Sequence, residues 1–303
     1  MVTCNLKPTP KPMRATEFEF RHRFWFICLT YFLGFACYKL DPANVTDAFL
    51  RWIVTNHIPR MSPLTVRYAF QAVFAFSAVL VAAGAWVRTW GGAYLRAEVV
   101  HDVKLRTERL VADGPYRHVR NPLYLGSMLL ATGMALLASR TGCAVVILGN
   151  LLIFVRLIGR EEAALVQSQG EAYRAYLAAV PRLWPSLRPR LPASGVRPKW
   201  LQALLGEGWM WAFALAGFLF AWKLDVHLYA KVLWAVVAYR LLWVVVERRR
   251  WRNSATPAAE MSAPLASRFE PGRFTEFMRF CFRVPGRNYD LTASMIPRSE
   301  IAG

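Results

Sequence analysis

Six blocks of apolar residues, 14 to 20 residues long with few or no charges inside them, constrain the fold of this chain more than any other feature. An α-helix rises about 1.5 Å per residue, so a run of about 20 residues crosses the hydrocarbon core of a bilayer. The blocks predict an all-α, polytopic helical membrane protein with about six transmembrane helices. They lie at about 24–40, 68–87, 123–139, 143–158, 209–222 and 228–246.

Not every block is equally long. Only 68–87 and 228–246 reach span length comfortably. Block 209–222 reaches it only by extending back through Glu207, and it is therefore expected to be a shorter or re-entrant element.

Composition supports a membrane protein. Hydrophobic residues make up 55% of the chain and the mean hydropathy is +0.25, which argues against a disordered chain or an ordinary soluble domain. The formal net charge of +19 suggests nucleic acid or an anionic membrane surface as the partner, and the apolar blocks favour the lipid bilayer. The five cysteines form no CxxC pair, so no disulfide framework is expected. His101 and His118 share one segment but have no third ligand at a suitable spacing, so no metal site is expected.

The basic residues predict the orientation of the spans, because Lys and Arg accumulate in cytoplasmic loops. With six crossings and a cytoplasmic N-terminus, 30 of the 38 basic residues fall on the cytoplasmic side and 4 in the outer loops. Both termini are therefore expected in the cytoplasm of a multi-pass protein of the inner or plasma membrane. The basic segment 1–23 ahead of the first block has no small-residue cleavage site after it, which indicates an uncleaved signal anchor.

Blocks 123–139 and 143–158 are joined by a turn too short for anything but an antiparallel helical hairpin. The segments before and after this hairpin must therefore return to the same face of the membrane. Before it, Pro122 suits the first turn of a helix, Asn121 suits its N-cap, and Gly126 allows another backbone to approach closely. A helix N-terminus beside Arg117 and Arg120 would hold a carboxylate well.

The segment after the hairpin begins with Arg160-Glu161-Glu162 and continues as a charged helix to Ala178. A proline-rich stretch follows, which is expected to be extended and irregular. One cytoplasmic pocket could use residues from both segments.

Two spaced motifs carry a family resemblance. The first is Gly114-Pro115-Tyr116, Arg120-Asn121-Pro122, Tyr124 and Gly126; the second is Glu161-Glu162, Leu165, Gly170, Tyr173, Tyr176 and Val180-Pro181-Arg182. Together, over about residues 105–187, they resemble the isoprenylcysteine carboxyl methyltransferase and phospholipid methyltransferase superfamily. The resemblance implies an integral-membrane enzyme that takes S-adenosylmethionine from the cytoplasm and methylates a lipophilic acceptor from the bilayer.

The resemblance also implies roles for individual residues. Cofactor-binding positions of the family match Leu110, Val111, Tyr116, Asn121, Pro122, Tyr124 and Glu161. In the carboxyl methyltransferases an arginine binds the carboxyl group of the substrate, and its position aligns with Leu157 here. Arg156 or Arg160 takes this place only if the alignment is shifted. These two residues and Arg120 are the candidate substrate-binding residues. No catalytic residue is assigned, because in-line methyl transfer needs proximity and a dry site rather than an essential general base.

The acceptor stays open between a phospholipid amine and an isoprenylcysteine-type carboxylate. Asn121, where the carboxyl methyltransferases have histidine, is more similar to the phospholipid N-methyltransferase version of the motif. Alternatives are methylation of a small hydrophobic thiol and a non-catalytic membrane scaffold whose basic tail binds anionic lipid. Glu162 is expected to be solvated or structural, and Tyr173 and Tyr176 to lie at headgroup level rather than to bind adenine.

This interpretation divides the chain into five parts. The expected parts are a cytoplasmic segment (1–23), N-terminal membrane helices (24–87), a methyltransferase core with the hairpin and cofactor site (88–192), C-terminal membrane helices (193–246) and a basic-aromatic cytoplasmic tail (247–303).

Overall fold

The computed structural model describes residues 13–57, 62–101 and 112–254, all within one compact unit. These residues form α-helices, two short 3-10 helices (Cys37–Lys39 and Gly114–Arg117) and no β-strand, as the apolar blocks predict. The helices are α1 (Glu17–Arg21), α2 (Arg23–Ala36), α3 (Val45–His57), α4 (Pro63–His101), α5 (Pro122–Ala135), α6 (Arg140–Ala179), α7 (Trp200–Lys223) and α8 (Val226–Ser254).

Within the described ranges, three helices are long and apolar enough to cross a membrane: α4 over Pro63–Leu95, α6 and α7. Helices α2 and α5 have 14 residues each, about 21 Å of helix, and α5 is a shorter apolar helix by length. Every predicted block thus contains helix, and three of the six predicted crossings meet the length criterion within the described residues. The expectation that 209–222 would be short is wrong, because α7 begins at Trp200 and has 24 residues.

A buried ion pair explains how α7 extends through an acidic residue. Glu207 accepts hydrogen bonds from Arg88 of α4 with both carboxylate oxygens, at 3.0 and 3.1 Å. Arg88 also donates to the Ser127 hydroxyl of α5 at 2.9 Å. Since a charge leaves water readily only when it is paired and hydrogen-bonded, this network allows both charges inside the helix bundle.

Helix α4 lies at the centre of the fold and packs mainly against α7 and α5. Their shared core consists of Val81, Ala85, Leu130, Met134, Met210 and Ala214. The predicted close approach at Gly126 is confirmed, because a Cβ atom there would lie 2.6 Å from the Gly84 carbonyl oxygen of α4. Helix α5 is joined to α6 by residues 136–139 and packs against it, so the predicted hairpin is present.

Helix α6 is kinked at Gly170. This residue has φ 59° and ψ −130°, a conformation that residues with a Cβ rarely adopt. Beyond the kink the chain returns to the beginning of α5, where the Arg120 amide donates to the Pro181 carbonyl at 2.9 Å. Residues 181–199, here called the strap, then run without regular helix beside residues 113–120, in agreement with the predicted irregular segment.

Candidate functional site

The open end of the α5–α6 hairpin brings the two sequence motifs together. Pro122 is the first residue of α5, as predicted. Asn121 precedes it at the N-cap position, but its side chain makes no capping hydrogen bond, so that part of the prediction is wrong. Its amide instead donates to Glu162 at 3.2 Å and to the Arg182 carbonyl at 3.1 Å. Because the Glu162 carboxylate of α6 is within reach, the Asn121 side chain links the beginning of α5 to α6 rather than capping α5.

Glu161 faces Tyr124 across the hairpin. The Tyr124 hydroxyl donates to Glu161 Oε1 at 2.8 Å, and both side chains are half-buried. The Tyr124 ring also packs against Phe154, with ring centroids 5.4 Å apart. No further hydrogen bond reaches the Glu161 carboxylate from the part of the chain that the structure describes, so it keeps capacity to accept from a ligand.

Glu162 connects three segments around this point. It pairs with Arg120 Nη1 at 3.3 Å and with Arg182 Nε at 3.1 Å, and it accepts from Asn121. Its side chain is only 12% exposed, which excludes a solvated position and supports the structural alternative. Arg120 Nε is buried without a hydrogen-bond acceptor among the described residues.

The tyrosines of the second motif lie inside the fold. Tyr173 and Tyr176 are each 4% exposed and pack with Val180. The Tyr176 hydroxyl donates to the carbonyl of Tyr116 at 2.9 Å, and Tyr116 is itself buried. Tyr173 and Tyr176 are therefore covered by protein, because beyond the kink at Gly170 this part of α6 packs on Ala112 and Tyr116; their position at headgroup level stays a prediction.

The candidate substrate-binding residues Arg156 and Arg160 form ion pairs with glutamates of α1. Glu19 accepts from Arg156 at 2.7 Å and Glu17 accepts from Arg160. The Arg156 hydrogen bond lowers the pKa of the Glu19 carboxyl. Sequence reasoning missed this short helix, although Thr16 and Glu19 form the capping box that marks a helix start.

Asp113 holds the strap in place, a role that the sequence did not reveal. Its buried carboxylate accepts from the Ser194 amide and hydroxyl, at 2.9 and 2.7 Å, and from the Val196 amide at 3.0 Å. Burial raises the pKa of Asp113, but these hydrogen bonds and the charge of Arg117 outweigh it, so the pKa is lowered overall. Arg117 donates to the Leu191 carbonyl of the strap at 2.7 Å.

Some predicted features lie outside the described residues. These are Leu110 and Val111, which match cofactor-binding positions of the resembling family, and the tail from residue 255 onward.

Comparison with protein families gives one finding. Residues 72–172 match the phospholipid methyltransferase family. This match confirms the resemblance inferred from the two motifs. Comparisons with curated proteins and with solved structures gave no match.

The phospholipid methyltransferase match also changes the expected extent of the resemblance. It begins within α4, earlier than the motifs indicated, and it ends before Tyr173 and the strap. The matched region therefore contains Arg88, Tyr124 and both glutamates of the hairpin, while Glu207 lies beyond it. Together with three apolar helices of span length, the match supports a membrane methyltransferase in general.

Proposed function

We propose that this chain is an integral-membrane methyltransferase that uses S-adenosylmethionine to methylate a lipophilic acceptor. The observation that carries the proposal is the pairing of Tyr124 with Glu161 at 2.8 Å, beside the contact between Asn121 and Glu162. Residues far apart in sequence and belonging to both motifs thus surround one end of the hairpin, inside the region that matches the family.

The chemistry of the available groups fits S-adenosylmethionine. Glu161 retains acceptor capacity for an ammonium group or for ribose hydroxyls. Arg120, whose buried Nε has no hydrogen-bond acceptor among the described residues, offers a donor for the carboxylate of the amino-acid part. When bound, this cofactor supplies an electrophilic methyl group on a sulfonium cation.

The protein's own residues would then bind, orient and exclude water. Tyr124 fixes one Glu161 oxygen, and Glu162 holds Asn121, Arg120 and Arg182 in one arrangement. Orientation of reactants alone can contribute about 7–11 kcal/mol to catalysis. No general base is assigned, because a carboxylate acceptor needs none and an amine acceptor needs only to be unprotonated.

A phospholipid amine is the acceptor that the sequence and the family match favour. The segment from Asn121 to Ser127 is similar to the phospholipid N-methyltransferase motif, and the matched family is that of phospholipid methyltransferases. An isoprenylcysteine carboxylate would be drawn to Arg156 and Arg160, but both guanidinium groups already pair with carboxylates of α1.

Binding of S-adenosylhomocysteine to the purified full chain in detergent tests the cofactor site. Glu161→Gln removes the charge while keeping the size, and we expect affinity to fall by about 10- to 100-fold, the worth of a charged hydrogen bond. Glu171→Gln is the matched control, since Glu171 is exposed on the same helix and pairs with Arg174. Equal affinity in the Glu161→Gln variant and the wild type would exclude the proposed role of Glu161.

Incubating membranes that contain the protein with methyl-labelled cofactor identifies the acceptor class. Label in a phospholipid supports the amine acceptor. Label in a prenylated protein would instead support the isoprenylcysteine carboxylate, and label in a volatile thioether would support the small hydrophobic thiol. Absence of any labelled product above that of the Glu161→Gln variant would favour the non-catalytic scaffold.

A further inference from the structure

The strap exposes two large apolar side chains. Trp184 is 85% exposed and Leu187 is 99% exposed. Arg188, Arg190 and Arg197 are also exposed, and residues 181–199 contain no Asp or Glu. Neither Arg188 nor Arg190 has an ion-pair partner in the described part of the chain. The strap therefore combines apolar and purely cationic groups on one exposed segment.

The strap backbone is fixed rather than free. The Ser186 amide donates to the His118 carbonyl at 2.9 Å, and the Arg190 amide donates to the Arg117 carbonyl at 2.8 Å. Between these anchors the Ser186 hydroxyl donates to the Arg188 carbonyl at 2.7 Å. Trp184 and Leu187 are consequently held outward by an ordered backbone, so little conformational entropy is lost when they meet a partner.

Both ends of the strap lie level with the ends of apolar helices. Its first residue, Pro181, accepts from the amide of Arg120, two positions before α5 begins. Its last residue, Lys199, donates its amide to the Ala93 carbonyl of α4, three positions before Arg96 and five before Glu98, the charged residues that follow in the sequence. The strap therefore crosses the bundle at the depth where spans leave the hydrocarbon core, which in a bilayer is the headgroup region.

We propose that the strap is a membrane-surface anchor that binds anionic lipid. Trp184 and Leu187 enter the lipid interface, where tryptophan is enriched and where their apolar surface leaves water. Arg188 and Arg190 lie beside them and bind lipid phosphates. The charge complementarity between a strap without acidic residues and an anionic leaflet identifies the partner. This proposal is independent of the methyl-transfer reaction.

Site-specific photo-crosslinking tests the proposal in the full chain. A benzophenone amino acid is placed at Leu187 and, as a control, at Ser168, which is exposed on α6 about 10 Å of helix beyond Glu161. The protein is reconstituted in vesicles of phosphatidylcholine and phosphatidylglycerol in equal amounts. We expect lipid adducts at position 187 that are at least several-fold more abundant than at position 168.

The lipid identity in the adduct tests the arginines. Two basic residues near an anionic surface can favour it by up to roughly 30-fold. We expect phosphatidylglycerol to predominate in the adduct, and Arg188→Gln with Arg190→Gln to bring the two lipids to equal yield. The backbone bonds of both residues are unaffected by these changes.

Three outcomes would overturn the proposal. The first is a yield of lipid adduct at position 187 no higher than at position 168. The second is a protein adduct in place of lipid, which would make the strap a protein-binding surface. The third is a phosphatidylglycerol preference that is absent or unchanged by the two arginine substitutions, which would exclude the proposed recognition of anionic lipid.

Discussion

Replacing Glu207 by glutamine breaks the ion pair that joins the family-matched region to α7. Glu207 and Arg88 have side chains that are 6% and 11% exposed, and both carboxylate oxygens accept from the guanidinium group. Glutamine has nearly the same size, but it carries no charge and has only one acceptor oxygen. One guanidinium N–H would then face an amide donor, and the Arg88 charge would stay buried without compensation.

The expected loss is large for a single substitution. Removing one partner of a buried ion pair destabilises a protein by about 3–5 kcal/mol, because the remaining charge is left without its counterion. The exposed pair of Arg51 and Asp47 is the internal comparison, since its arginine is 78% exposed. Solvent screens an exposed pair of this kind, so Asp47→Asn should change the stability little.

Denaturant unfolding of the purified protein in mixed micelles measures the difference. We expect Glu207→Gln to lower the free energy of unfolding by at least about 3 kcal/mol, and Asp47→Asn to leave it nearly unchanged. Replacing both partners, Arg88→Met with Glu207→Leu, should recover most of the loss, because no unpaired charge remains and Ser127 keeps its hydrogen bond to the Leu123 carbonyl. The reasoning is refuted if Glu207→Gln is as mild as Asp47→Asn, or if the double variant is no more stable than Glu207→Gln.

Two further predictions concern the strap and the kink. Asp113→Asn should reduce hydrogen-exchange protection of the Ser194 and Val196 amides, since an amide side chain accepts fewer of the three bonds. The pKa of Asp113 is lower in the folded protein than in the unfolded chain, where it is about 3.9. The stabilisation of the strap by Asp113 should therefore be complete above the unfolded pKa and lost as the pH falls through the folded pKa. Hydrogen-exchange protection of the Ser194 and Val196 amides that does not change in acid would contradict this prediction. Gly170→Ala should destabilise the protein by about 1–3 kcal/mol through backbone strain alone, because no atom lies within 4 Å of the added Cβ. Gly208→Ala in α7, equally open but with helical backbone, should be neutral or stabilising in the same thermal unfolding measurement.

The sequence determined the class of fold and the location of the candidate site. Uncharged apolar blocks predict helices because only a helix satisfies its own backbone hydrogen bonds within a bilayer. The short turn between blocks 123–139 and 143–158 predicts an antiparallel hairpin, and the hairpin requires Asn121 and Glu161 to approach the same face. Helix lengths and one short turn were sufficient for these conclusions, since neither requires knowledge of which distant helices pack together.

Only the tertiary structure decided which side chains pair with which. Asn121 has the features of a helix cap, yet it bonds to Glu162, because a buried carboxylate on a neighbouring helix is within its reach. Glu207 appeared to shorten a span, yet the span is complete, because Arg88 approaches from a helix more than a hundred residues away. The length and the hydrophobic pattern of a segment indicate which local structure it prefers. The partner of a buried charge depends instead on which distant helices pack beside it. Hydrogen bonding across packed helices, rather than local preference, therefore decided the arrangement of the site.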